Sequence, residues 1–166
     1  NFARSQSEES VADVQLRWDI NDWLMFTSTN RFSTSNWFYE EYIDPRTKLP
    51  SYSNGYIYNA TGSGTGFGTT NILKAHKELG DHSVDAIIGW EYGTGFSQEM
   101  WASGTDMPNG QASLSNAVMQ SIGGYNYPST SWAWLAQAQY SYMGKYVATA
   151  SVRYDEISKF APKARG

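Results

Sequence analysis

Three consecutive pieces decide the fold: Trp132-Ala133-Trp134-Leu135-Ala136-Gln137-Ala138-Gln139-Tyr140-Ser141-Tyr142, then Met143-Gly144-Lys145, then Tyr146-Val147-Ala148-Thr149-Ala150-Ser151-Val152-Arg153-Tyr154-Asp155. In the first piece the even positions are Trp132, Trp134, Ala136, Ala138, Tyr140 and Tyr142, against Ala133, Leu135, Gln137, Gln139 and Ser141. In the last, Tyr146, Ala148, Ala150, Val152 and Tyr154 alternate with Val147, Thr149, Ser151, Arg153 and Asp155. Successive side chains of a strand point to opposite faces, so a period of two marks strands whose faces meet different surroundings. Gly144 supplies the positive backbone angle that a tight hairpin needs.

The same rule holds further out. Ala12, Val14, Leu16, Trp18 and Ile20 alternate with Asp13, Gln15, Arg17 and Asp19, and Val84, Ala86, Ile88, Trp90 and Tyr92 with Asp85, Ile87, Gly89 and Glu91. Trp23 to Phe32 and Phe67 to Glu78 are weaker cases. Short turns fall at Asn21-Asp22, at Leu79-Gly80-Asp81-His82 and at Met143-Gly144-Lys145. The reading is all-β: an antiparallel up-and-down meander of six strands at about 11–20, 23–33, 67–78, 82–97, 131–142 and 146–155. The polar, Gly/Ser/Thr/Asn-rich stretches at about 34–66 and 98–130 are expected to be long loops.

Composition narrows the class. The 166 residues hold 7 Trp, 12 Tyr and 7 Phe, with charged residues at 17%, below the ~25% of soluble proteins. So many aromatics argue against disorder. The net charge of -4 leaves no electrostatic footprint for nucleic acid. No Cys is present, which removes disulfides, cysteine nucleophiles and thiolate zinc sites, and His76 and His82 alone make no His-rich metal centre. No cofactor is expected. No apolar run approaches the ~20 residues of a spanning helix. The chain begins Asn1-Phe2-Ala3 and reads as an internal piece of something longer.

Short turns on one side and long loops on the other are the layout of outer-membrane barrels, whose strands put apolar residues outward and polar ones inward. Aromatics at strand ends with Ala between them are what two interfacial girdles produce. Six strands cannot close such a barrel, for which about eight is the minimum, so others must come from the same parent chain. On this reading Trp18, Trp90, Trp132, Trp134, Tyr140, Tyr142, Tyr146 and Tyr154 face lipid or form the girdles. Asp85, Glu91, Gln137, Gln139 and Arg153 face the lumen. The alternatives are a soluble secreted β-sandwich that binds carbohydrate through surface aromatics, and a cell-surface adhesion domain.

Several motifs carry a resemblance. Gly80-Asp81-His82-Ser83-Val84-Asp85-Ala86-Ile87-Ile88-Gly89-Trp90-Glu91 resembles the "G-x-H-x-V-x-A-hydrophobic-x-G-x-E" strand of the SusC/RagA family of TonB-dependent transporters. Ala102-Ser103-Gly104-Thr105-Asp106-Met107-Pro108 resembles its "A-S-G-x-x-x-P" loop, and Asp19-Ile20-Asn21-Asp22-Trp23-Leu24 its "D-I-T-D-W-L" hairpin. Lys145 to Asp155 is similar to its "K-Y-x-x-T-A-S-x-R-x-D" strand, and Ser158-Lys159-Phe160-Ala161-Pro162 to the "S-[RK]-F-x-P" that follows. Where the family reads "R-x-D-G-S-S-x-F", this chain has Glu156 in place of the glycine. The resemblance implies a large plugged barrel in the outer membrane of a Gram-negative bacterium that imports oligosaccharides or peptides. It implies a SusD-like surface lipoprotein as lid, and dimers of transporter–lipoprotein pairs. TonB would act through parts of the parent chain not present here, and the plug domain is likewise absent from these 166 residues.

No catalytic set can be assembled, and the chain is not expected to be an enzyme. Gly62, Gly64, Gly66 and Gly68 do not satisfy G-x-G-x-x-G, so a flexible loop feeding a strand is the simpler account. Glu40-Glu41 and Asp155-Glu156 are neighbours on extended chain and point to opposite faces. Asp81 and His82 read as polar turn residues. Trp37, Tyr39, Tyr42, Tyr125 and Tyr127, with Phe38, Tyr52, Tyr56 and Tyr58 nearby, are the candidates for ligand or lid contact, since flat rings stack on sugars and peptide side chains. Loop-on-loop packing, or strands continuing beyond a membrane, explains them more simply.

The facing generates a test. Ala148→Arg near a bilayer midplane should cost about 2–4 kcal/mol and hinder membrane assembly of the intact protein, while Ser151→Arg on the other face should be tolerated. Equal behaviour of the two, read as the folded fraction in outer membranes, would show the faces to be misassigned.

Overall fold

The computed structural model describes residues 1–47, 54–108 and 111–158. Six strands follow one another: β1 (Phe2–Asn21), β2 (Leu24–Ile43), β3 (Tyr56–Leu79), β4 (His82–Thr105), β5 (Val118–Tyr142) and β6 (Tyr146–Ile157). Single 3-10 turns lie at Pro45–Thr47 and Leu114–Asn116. All six strands form one sheet in sequential order. The meander and its three turns are as expected.

The strand boundaries differ from the expectation. Residues 34–43, 56–66, 98–105 and 118–130 are strand, not loop, and β1 begins at Phe2. Residues 37–43 and 56–58 are rich in aromatic and β-branched residues that favour strand, and in the Gly/Ser-rich remainder weak propensity is overridden by pairing with the neighbouring strand. One register persists along each hairpin pair. Phe2 lies by Tyr42, Arg4 by Glu40 and Asp13 by Arg31. The same is true of β2 and β3, through Trp23 and His76, Phe32 and Phe67, and Trp37 and Gly62. It is true again of β4 and β5, through Gly89 and Leu135, Glu99 and Tyr125, and Trp101 and Gly123. β5 pairs antiparallel with β6 from Tyr142↔Tyr146 to Ser131↔Ile157. Glu156 therefore sits in extended strand opposite Trp132, not in a turn. Tyr52 and the Lys159–Pro162 part of the last motif lie outside the described residues.

The glycine run is not a loop either. A Cβ on Gly62 would lie 2.3 Å from the Trp37 Nε1, and one on Gly123 would lie 2.4 Å from Cζ2 of Trp101. The glycines leave room for an indole of the neighbouring strand to lie over the backbone.

Two compact units can be distinguished: Asn1–Ser10, Ser33–Thr65 and Phe96–Pro128 in the first, and Val11–Phe32, Gly66–Gly95 and Ser129–Gly166 in the second. The first contains a small core of Tyr42, Ile57 and Met107, with Ala112, Leu114 and Ala117 packed against it. Nearby, Asp44 holds the 3-10 turn that follows β2. Its carboxylate accepts the Arg46 backbone N–H at 2.9 Å and pairs with the Arg46 guanidinium, while its carbonyl accepts the Thr47 N–H at 3.0 Å.

Little else is buried. Among the described residues six hydrophobic side chains are buried, whereas Val14, Leu16, Trp18, Ile88, Trp134, Val152 and twenty other large ones are exposed. A β-sandwich needs a second sheet to cover such a face. With every described strand in one sheet, the sandwich expectation is not met.

Two tests follow from local geometry. Lys145 N–H donates to the Tyr142 carbonyl at 3.0 Å, and both central residues, Met143 (φ 53) and Gly144 (φ 67), are left-handed. A residue with a Cβ bears about 1–2 kcal/mol in that region, and Asn bears less. Met143→Asn should therefore raise the unfolding free energy of the intact protein by about 0.5–1 kcal/mol, seen as a higher urea midpoint at unchanged slope. The second concerns pH. The Arg46 guanidinium, and then the Arg46 N–H, hold the Asp44 carboxyl down at about 2 against an ordinary 3.8. A depressed carboxylate stabilises fully above its unfolded value and is lost as pH falls through its folded one. Protection of the Thr47 amide, taken relative to Asp44→Asn, should be constant above about pH 4 and vanish near pH 2.

Candidate functional site

In the second unit, alternation gathers the ionic side chains on one face. Asp13 accepts two hydrogen bonds from Arg31, at 2.8 and 2.7 Å. Arg153 reaches Glu91 at 2.7 Å and Asp155 at 2.8 Å. His76 Nδ1 lies 2.7 Å from Asp85. Gln139 accepts from Thr149 at 3.4 Å, and Gln137 pairs with Ser151 in the ladder. An open cleft of about 490 Å³ runs along this face between Arg31, Thr70, Glu91 and Arg153. Asp85, Glu91, Gln137, Gln139 and Arg153 thus share one face.

The opposite face carries the rings. Near the turns His82 bonds the Tyr140 hydroxyl at 2.6 Å and lies 4.9 Å from the Tyr142 ring. Farther along the strands Trp90 lies 6.2 Å from Trp134 and 6.3 Å from Tyr92, and Trp132 lies 5.4 Å from Tyr154. Ala136 faces Val152 and Ala138 faces Ala150 in between. Tyr146 is paired with Tyr142, and Trp18 is exposed on β1. One departure interrupts the apolar face: Asn30 donates to Ser28 at 3.2 Å, and Asn71 to Thr69 at 3.1 Å. Each amide is paired with a hydroxyl on its own strand, which lowers the cost of facing an apolar medium.

In the first unit, the positions in phase with the ionic face hold a band of aromatic rings. Trp37 lies over Gly62, and Tyr39 and Tyr58 are 5.9 Å apart. Trp101 lies over Gly123 and 5.9 Å from Tyr125, which is 4.6 Å from Tyr127. Two carboxylates accompany them. The Tyr125 hydroxyl donates a hydrogen bond to Glu99, and the Tyr39 hydroxyl reaches Glu41 at 3.5 Å. The bond to Glu99, then burial, holds the Tyr125 phenol above its usual range. Burial first, then the Glu41 charge, does the same for Tyr39.

Of the five ring candidates, Trp37, Tyr39, Tyr125 and Tyr127 lie on this face. Tyr42 does not: it is 5% exposed in the core with Ile57 and Met107, so its ring is not available to a ligand. Its even position on β2 puts it opposite Tyr39, a parity visible in the sequence. Glu40 and Glu41 diverge as expected, to Arg4 and to Tyr39. Trp101 and Glu99 were missed, although both keep the phase of Asp85 and Glu91 along β4. Among the described residues no three His, Cys, Asp or Glu side chains converge on a metal site.

No family model matches the chain, and no curated protein matches it. Solved structures do. The RagAB peptide transporter matches at a TM-score of 0.81 and 17% identity, over 98% of this chain and 19% of that one. The ferric citrate transporter FecA, in its unliganded form, matches at 0.67 and 12%, over 94% of this chain and 22% of that one. The siderophore receptor PiuA from Acinetobacter baumannii matches at 0.50 and 10%, over 92% and 29%. This chain spans about a fifth of the length of the first two. The fold is that of a run of strands in such transporters, in line with the resemblance carried by the motifs.

Proposed function

We propose that these six strands are part of the wall of a larger outer-membrane barrel that imports oligosaccharides or peptides with the energy of the TonB system. The observation that carries this is the spacing of the two aromatic rows. Tyr142 and Trp132 are ten residues apart on β5. At about 3.3 Å per residue and ~45° tilt, ten residues rise about 23 Å. The apolar band of outer-membrane barrels is about 25 Å tall between girdles. The small residues between the rows, Ala136, Ala138, Ala148 and Ala150, then face lipid, and the Asp85, Glu91, Gln137, Gln139 and Arg153 face lines the lumen. Because β5 has 25 residues, more than half of it runs outside the hydrocarbon.

The ring band of Trp37, Tyr39, Trp101, Tyr125 and Tyr127 lies on those outer stretches, in phase with the lumen face. Rings held over glycines offer flat, rigid contact area, with little entropy lost on binding. That arrangement serves either a sugar or a peptide side chain. The likeness to a peptide transporter favours the peptide. A SusD-like lipoprotein lid and pairing of two transporter–lipoprotein units belong to the same reading, since RagAB is the neighbour with the highest similarity score given above.

Fractionation followed by a binding assay tests it. The intact protein should appear in the outer-membrane fraction, and Trp101→Ala combined with Tyr125→Ala should leave it there while weakening substrate binding about tenfold. A soluble protein would end the proposal, and so would unchanged binding and uptake of both peptides and oligosaccharides in the double variant.

A further inference from the structure

We infer that the ring band around Glu99 is a subsite for a cationic group, the ammonium or guanidinium of a basic peptide. The inference rests on the importer reading above and adds the charge of the cargo to it.

Charge is divided unevenly between the two units. Among the described residues the first has seven acidic and two basic residues, and the second nine acidic and six basic. Within the second unit the carboxylates of the ionic face have cations beside them: Arg31 for Asp13, Arg17 for Asp19, His76 for Asp85, and Arg153 for both Glu91 and Asp155. In the first unit the two arginines are engaged elsewhere, Arg4 with Glu40 and Arg46 with Asp44. Lys48, the third basic residue, lies outside the described residues.

Glu99 and Glu41 have phenols for partners instead. Among the described residues no lysine or arginine approaches either carboxylate. A phenol hydrogen bond orients a carboxylate and leaves its charge in place. Glu99 is thus held by the Tyr125 hydroxyl, whose ring lies 5.9 Å from Trp101 and 4.6 Å from Tyr127, itself 57% exposed. Aromatic faces attract cations through the ring quadrupole, and guanidinium groups stack on them. A carboxylate and several rings converging on one surface satisfy a lysine or arginine side chain on both counts. A neutral sugar would use the rings and leave the charge unanswered, and an acidic peptide would be repelled by it.

The test uses the intact protein in detergent and three labelled peptides of one length and backbone, carrying lysine, glutamine or glutamate at the same two positions. The lysine peptide should bind about tenfold more tightly than the glutamine peptide at low salt, with the glutamate peptide weakest. The preference should collapse in about 0.5 M salt, where charges are screened within a few ångströms. Glu99→Gln should abolish most of it, and Glu41→Gln should remove a smaller part. Tyr125→Phe, which keeps the ring and the carboxylate, should retain it. Equal binding of the lysine and glutamine peptides, or a preference that survives Glu99→Gln, overturns the cationic subsite and leaves the importer reading standing. Failure to bind any of the three peptides, by a protein that is folded in the membrane and binds oligosaccharides, overturns the subsite together with the peptide cargo.

Discussion

Everything described above depends on strand register, which three tight turns set within their hairpins. With one sheet and a small core, the backbone ladder is the only continuous source of order, and each turn determines which residue faces which across the hairpin. The β1–β2 register brings Asp13 to Arg31 and Arg4 to Glu40. The β4–β5 register, which no tight turn sets and which the strand ladder itself holds, brings Glu99 to Tyr125 and Trp101 to Gly123. A slip of one residue would exchange the faces. It would place Arg153 and Glu91 among the rings of Trp90 and Trp134, and send the alanines to the ionic side.

A single sheet has no opposing layer to hold its larger side chains in one rotamer. Here that restraint comes from the side. Trp37 lies over Gly62, Trp101 over Gly123, and Leu135 over Gly89, each across the ladder on a neighbouring strand. The absence of a Cβ lets the ring rest on backbone, so the strand next door acts as floor. This is how a face with little buried area can still present rigid aromatic surface, which is the physical requirement for recognition with low entropic cost.

The fold was legible where the two faces differ in polarity, as from Val84 to Glu91 and from Trp132 to Asp155. It was not legible where glycine and small hydroxyl residues replace that contrast. Gly62 to Gly68 has the composition of a loop, and what makes it strand is the partner: Trp37 and Ser35 of β2 fill the space that Gly62 and Gly64 leave. Sequence alone does not show which ring will come to lie over which glycine. The site was half visible. Trp37, Tyr39, Tyr125 and Tyr127 were found as aromatics in presumed loops. Placing them in strands adds parity, and parity separates Tyr39 from Tyr42 and recruits Trp101 and Glu99. Charge compensation was beyond reach for another reason: that Glu91 has Arg153 while Glu99 has only a phenol depends on pairs more than twenty residues apart.

The sequential strand order has an evolutionary consequence. A hairpin leaves one side of the sheet and returns to it with inside and outside unchanged, so whole hairpins can be duplicated or deleted without inverting any neighbour. A gain of single residues within a strand has no such immunity. Each added hairpin would widen the perimeter of a closed wall by about 10 Å, two strand spacings. Pore girth can therefore change in discrete steps of paired strands, while the pattern of rings and charges on the remaining strands is inherited intact.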